Sequence, residues 1–210
     1  MNTLRCPVMP EDSTHTSRNR LLAAGKALFS RLGYEQASTA AIARDAGTSE
    51  SQLIRYFGGK SGLLEAIFNE AWAALNDDIT RHLEESAHGR EAILRILGLV
   101  MEGFSRDHQM AFLFMFEGRR VRGHDVALSK GFLKFYELLH ELVRRGQSDG
   151  SFRNDITSDA LASALLGAAE GMMRDRMIGE RIGQPRQYDD AAIQRTFEGI
   201  VNGLAATPQK

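Results

Sequence analysis

The most chemically suggestive residues in the 210-residue chain are Glu50, Gln52 and Arg55, set beside Ser49 and Ser51. A guanidinium offers a fork of donors, a primary amide offers both a donor and an acceptor, and a carboxylate accepts. These groups complement the base edges of a DNA major groove, where Arg suits guanine, Gln suits adenine and a carboxylate accepts from cytosine N4. Thr39, Arg44, Thr48, Tyr56 and Lys60 flank the cluster. Such hydroxyls and cations hold phosphates, which fix a protein's position without reading sequence.

Two short helices must position these groups. Ser38 and Thr39 supply a hydroxyl cap for a helix running through Ala40–Ala46, and Gly47 ends it. Thr48 or Ser49 caps a second helix, Glu50–Phe57. Ile42 and Ala46 on the first helix, with Leu53 and Phe57 four apart on the second, supply the apolar faces that join them. The pattern is a helix-turn-helix, although caps and a glycine turn alone also suit a solvated helical hairpin. Charge favours the first reading. Between Ser17 and Ser61, Arg18, Arg20, Lys26, Arg31, Arg44, Arg55 and Lys60 outnumber Glu35, Asp45 and Glu50, giving +4 on a chain of net charge −1. A locally basic module on an otherwise acidic chain suits one nucleic-acid surface rather than binding along the whole length.

The stretch from Ser17 to Trp72 resembles the DNA-binding domain of the TetR family of bacterial transcriptional regulators. The resemblance rests on Phe29, Gly33-Tyr34, Thr39, Ile42-Ala43, Ala46-Gly47, Ser49, Tyr56-Phe57, Lys60 and Leu63-Leu64, in that order and spacing. It implies phosphate contacts from Thr39, Tyr56 and Lys60, and groove contacts from Ser49, Glu50, Ser51, Gln52 and Arg55. Ile54 departs from the pattern, standing where the family usually has a tyrosine. An isoleucine cannot hydrogen-bond a phosphate, so one backbone contact is expected either to be missing or to be supplied by Arg55 or Arg44 instead. Glu50 is expected either to accept from a base or to orient Arg55.

Past Lys60 the apolar spacing stays helical, and the fold class is all-α, with no strand pattern. Residues 1–16 are expected to be a disordered tail, 17–61 the three-helix DNA-binding domain, and 62–210 a helical effector-binding and dimerisation domain. A long lever helix carries Leu63, Leu64, Ile67, Phe68, Trp72, Leu75 and Ile79, and Gly89 breaks the pattern after it. Further helices are expected from Ile93 to Phe104, Met110 to Glu117, Val126 to Arg145, Thr157 to Met177 and Asp189 to Ala205. In the last two, Leu161, Leu165, Ala168 and Met172, and then Ile193, Phe197, Ile200 and Leu204, form narrow stripes. The resemblance implies a four-helix dimer interface there; the alternative is that they close the chain's own core.

Met101–Phe135 is rich in Met and Phe, Phe114 and Phe132 among them, and suits a deformable wall around an apolar or aromatic effector. The candidates are Met101, Phe104, Phe112, Met115, Phe116 and Phe135, with His108, Glu117 or Arg120 as polar contacts. Catalytic patterns fail on inspection. Gly59-Lys60-Ser61 lacks the earlier glycine of a phosphate loop, Ile54 standing in its place, and His140-Glu141 has Arg144 where a zinc helix needs a second histidine. The lone Cys6 has no local basic partner. No enzyme, cofactor or metal site is therefore expected. The expected protein is a cytoplasmic homodimeric regulator, a repressor released from a palindromic operator by a small, largely apolar effector, with double-stranded DNA and the effector as partners and no membrane. The alternatives are an activator or a nucleoid-type binder, or a small-molecule-binding protein of the same fold without DNA binding.

Overall fold

The computed structural model describes residues 11–83, 88–122, 125–128 and 130–205, with backbone alone for 11–15 and for the strands near 119–128. Two compact units divide between Phe68 and Asn69, inside a single helix.

In the first unit, α1 (Glu11–Leu32) precedes α2 (Thr39–Asp45), α3 (Glu50–Phe57) and the start of α4 (Lys60–Leu83). Helix α1 begins inside the segment expected to be a disordered tail. Pro10 followed by Glu11 and Asp12 accounts for this, since proline and carboxylates both favour a helix start. The first ten residues lie outside the described ones. The core consists of Leu21, Leu28 and Phe29 of α1, Ile42 of α2, Leu53 of α3 and Leu63 of α4, all at most 3% exposed. Burial of side chains this size contributes roughly 1.5–3 kcal/mol each.

The second unit holds the rest of α4 with α5 (Gly89–Arg106), α6 (His108–Phe116), α7 (Lys130–Ser148), α8 (Ser158–Arg181) and α9 (Asp190–Gly203). Two short strands, β1 (Arg119–Arg122) and β2 (Asp125–Leu128), pair antiparallel between α6 and α7, with Val121 opposite Val126. This corrects two expectations: a hairpin exists within the all-α fold, and Val126 belongs to it rather than to α7. Gly118 and Gly123 bracket β1, and the run Arg-Arg-Val-Arg has no apolar face at helical spacing.

The stripes on the last two helices are corrected at four positions. Leu161 and Leu165 of α8 are 2% and 1% exposed, and Ile193 and Phe197 of α9 are 1% and 3% exposed. Those side chains close the core of their own chain. Ala168, Met172, Ile200 and Leu204 are half-buried. The exposed positions of α8 instead follow Ala164, Gly167, Gly171 and Arg174, again at steps of three and four.

Candidate nucleic-acid interface and effector cavity

Helix α2 starts where Ser38 Oγ accepts from the Ala41 amide at 3.1 Å. It ends on Gly47 at φ 60°, with the Gly47 amide donating to Arg44 O and the Thr48 amide to Ala43 O, at 3.0 and 2.9 Å. This paired closure needs a left-handed residue, which glycine adopts without a Cβ clash. Helix α3 is capped by Ser49 Oγ, which accepts from the Gln52 amide at 3.3 Å, and Gly58 ends it at φ 71°. Leu53 is fully buried, whereas Ser49, Glu50, Ser51, Ile54 and Arg55 are exposed. The apolar anchor therefore fixes the helix while its hydrogen-bonding groups face solvent.

The exposed groups are organised. Thr39 Oγ1 donates to Glu50 Oε1, bridging the two helix starts. Thr48 Oγ1 donates to Gln52 Oε1 at 2.5 Å, and Ser49 and Ser51 hydroxyls lie 2.9 Å apart. Arg55 stacks 5.0 Å from the Tyr56 ring centroid and donates to its hydroxyl at 3.1 Å. Glu50 thus engages Thr39, and Arg55 engages Tyr56, so Glu50 is not the group orienting Arg55 here. Lys60 Nζ donates to the carbonyls of Tyr34 and Glu35 at 2.8 and 3.2 Å, and sits 4.4 Å from the Tyr34 ring centroid. It anchors the loop between α1 and α2, a role that residue type alone did not reveal. Arg44 is exposed, with a loose 3.9 Å ion pair to Asp45. Ile54, 54% exposed, leaves an apolar spot among these polar groups.

The second unit holds a partly open cavity of about 70 Å³. Phe104, Met115 and Phe135 line it as expected, together with Phe114 and Phe132 from the same Met- and Phe-rich stretch. Met101, His108, Phe112, Phe116 and Glu117 do not line it. Helix geometry explains the split: Phe112 and Phe116 sit on another side of α6, their ring centroids 4.6 Å apart, with Arg181 4.1 Å from the Phe112 ring centroid. The Arg120 side chain lies outside the described ones. Walls that sequence did not single out come from Trp72 and Leu75 of α4, Ile96 and Val100 of α5, Leu165, Glu170 and Met173 of α8, and Phe197 of α9. Trp72 is central, its ring centroid 4.6, 5.5 and 5.2 Å from those of Phe114, Phe132 and Phe135. The only tryptophan in the chain was the one signal available. Among the described residues no group of three or more His, Cys, Asp or Glu side chains could hold a metal, and no helix is long and apolar enough to cross a membrane.

Residues 21–67, which hold this capped helix pair, match the family model described as bacterial regulatory proteins, tetR family. This amino-terminal domain belongs to the TetR family. The chain is a DNA-binding transcriptional regulator with a ligand-binding domain, and not an enzyme. Among curated relatives, the nucleoid occlusion factor SlmA of Vibrio atlanticus is 26% identical, over 81% of this chain and 88% of its own length. The fatty acid metabolism regulator protein of Bacillus subtilis is 20% identical over 82% and 87%. The fold is shared with the transcriptional regulator FadR from Bacillus subtilis, solved in complex with stearoyl-CoA, at a TM-score of 0.75 and 16% identity, covering 87% of this chain and 96% of that one.

Proposed function

We propose that the protein is a cytoplasmic, homodimeric repressor that binds a palindromic operator and is released from it by a small, largely apolar effector. The observation that carries this is the exposed, hydrogen-bonding face of α3, held rigidly by buried Leu53 and closed by caps at both ends. The reading assigns Ser49, Glu50, Ser51, Gln52 and Arg55 to the groove, with Thr39, Arg44, Tyr56 and Lys60 near phosphates. A recognition helix of this kind reads one half-site, so a palindrome calls for two copies, spaced about 34–36 Å or a multiple of that.

The dimer face assigned here is the exposed side of α8 and α9. A Cβ built at Gly167, Gly171, Gly199 or Gly203 would meet nothing within 4 Å in its own chain. Small residues let a partner helix approach closely, and the half-buried Ala168, Met172 and Ile200 supply apolar area beside them. The aromatic cavity supports an apolar effector. Its occupation acts through α4, whose Trp72 and Leu75 line the cavity and whose first residue is Lys60. Coupling of this kind is reciprocal, so operator lowers effector affinity by the factor with which effector lowers operator affinity.

The test is a shift assay on selected DNA at several salt concentrations, with and without an apolar compound that raises the melting temperature of the free protein. The proposal expects a two-fold symmetric site, an affinity that falls with salt, and release by the compound. Equal affinity of the compound for free and operator-bound protein would overturn the release mechanism. Binding to a single asymmetric half-site would overturn the palindrome.

A further inference from the structure

Gln52 is the amide among the groups assigned to the groove, and its orientation decides what it can recognise. A free glutamine pairs with adenine in two bonds, accepting from N6 through Oε1 and donating to N7 through Nε2. Here Oε1 already accepts from Thr48 Oγ1 at 2.5 Å, one turn earlier. Both residues are half-buried, and Thr48 is itself fixed, its amide donating to Ala43 O at 2.9 Å as part of the Gly47 turn. That bond ties the amide oxygen to the start of the helix, while among the described residues nothing accepts from the two Nε2 hydrogens.

We infer that Thr48 is a positioning residue for specificity: it locks Gln52 as a pure donor, so that Gln52 selects guanine over adenine at its operator position. An NH₂ group pointed at a purine finds two acceptors on guanine, N7 and O6. On adenine it finds N7 but meets the N6 amino group, donor against donor, unless Oε1 rotates away from Thr48. The inference rests on the assignment of α3 to the major groove. It adds a direction to that assignment and names a residue that need touch no base.

Selection from randomised DNA, followed by affinity measurement on operators changed at one position, tests it with the full-length protein. Wild type is expected to prefer guanine over adenine by about tenfold at one position in each half-site. Thr48→Val, which keeps shape and removes the donor, frees Oε1 and brings that ratio to near one or reverses it, with preferences elsewhere and the salt dependence unchanged. Thr48→Ser restores the wild-type ratio. Gln52→Ala abolishes discrimination at the same position, and adding Thr48→Val to it changes nothing further. Melting temperatures within a few degrees of wild type separate these outcomes from misfolding; if Thr48→Val fails to fold, the Gln52→Ala profile and the wild-type guanine preference decide. A wild type that favours adenine at the position lost in Gln52→Ala would overturn the inference, as would an unchanged Thr48→Val profile. A wild type that binds no DNA sequence would instead overturn the proposed function.

Discussion

Lys60 combines two demands in one side chain. Its ammonium donates to the Tyr34 and Glu35 carbonyls and lies over the Tyr34 ring, so replacing it leaves two acceptors without their charged donor. Lys60→Met is expected to lower stability by about 1 kcal/mol, measured by urea unfolding, because a hydrogen bond from a charged group is worth that order even where partly exposed. It is also expected to weaken DNA of every sequence alike. An isolated phosphate contact would weaken binding while leaving unfolding unchanged. At this scale the residue types of α3 were legible in the sequence and their partners were not. That Glu50 binds Thr39 rather than Arg55 depends on how closely two helix starts approach, which spacing along one chain does not specify.

Helix α5 shows how an element borrows its cap. Its N-cap position is His88, which makes no side-chain cap bond, and the Gly89 amide instead donates to Asp149 Oδ2 at 2.8 Å from beyond α7. Burial pushes the Asp149 carboxyl upward, but hydrogen bonds from Ser151 and from the Gly89 and Ser151 amides, with the nearby His88, outweigh it and hold the group below the usual carboxylate range. A depressed folded-state value gives stability that is present above the unfolded value, near 3.9, and is lost as pH falls through the folded one. Asp149→Asn is therefore expected to cost about 1 kcal/mol at neutral pH. The gap between variant and wild type should close below about pH 4, followed by urea unfolding across pH. A gap that stayed constant with pH would mean that packing rather than charge holds the cap. The sequence marked Gly89 as a break; its actual position is the first residue of α5, in contact with α7. A Cβ there would lie 2.4 Å from Gly146 N and 2.5 Å from Leu142 O. Those are backbone atoms that cannot swing aside, so Gly89→Ala is expected to destabilise by about 1–3 kcal/mol, read from the same unfolding curves.

For the whole molecule, the proposed dimer makes a prediction that separates the two faces of α8. Gly171→Leu points a side chain into open space in its own chain, so the subunit should fold and keep its helical content. It should nevertheless dissociate the dimer, observed by sedimentation at micromolar concentration, and with it lose affinity for a two-half-site operator. Leu165→Ala, at a fully buried position, is expected to behave oppositely, lowering stability by about 2–5 kcal/mol. A Gly171→Leu protein that stayed dimeric would move the interface elsewhere.

The sequence by itself determined the helices, the Gly47 turn and the identity of the exposed groups on α3, because caps, left-handed glycines and 3.6-residue periodicity are local. It determined equally that α8 and α9 carry apolar stripes. Only the tertiary structure decided that Leu161, Leu165, Ile193 and Phe197 belong to the chain's own core, since periodicity identifies an apolar face without saying which partner covers it. The cavity was decided in the same way. Trp72 and Phe197 meet around one space from helices far apart in the chain, and no local pattern links residues whose proximity arises from packing.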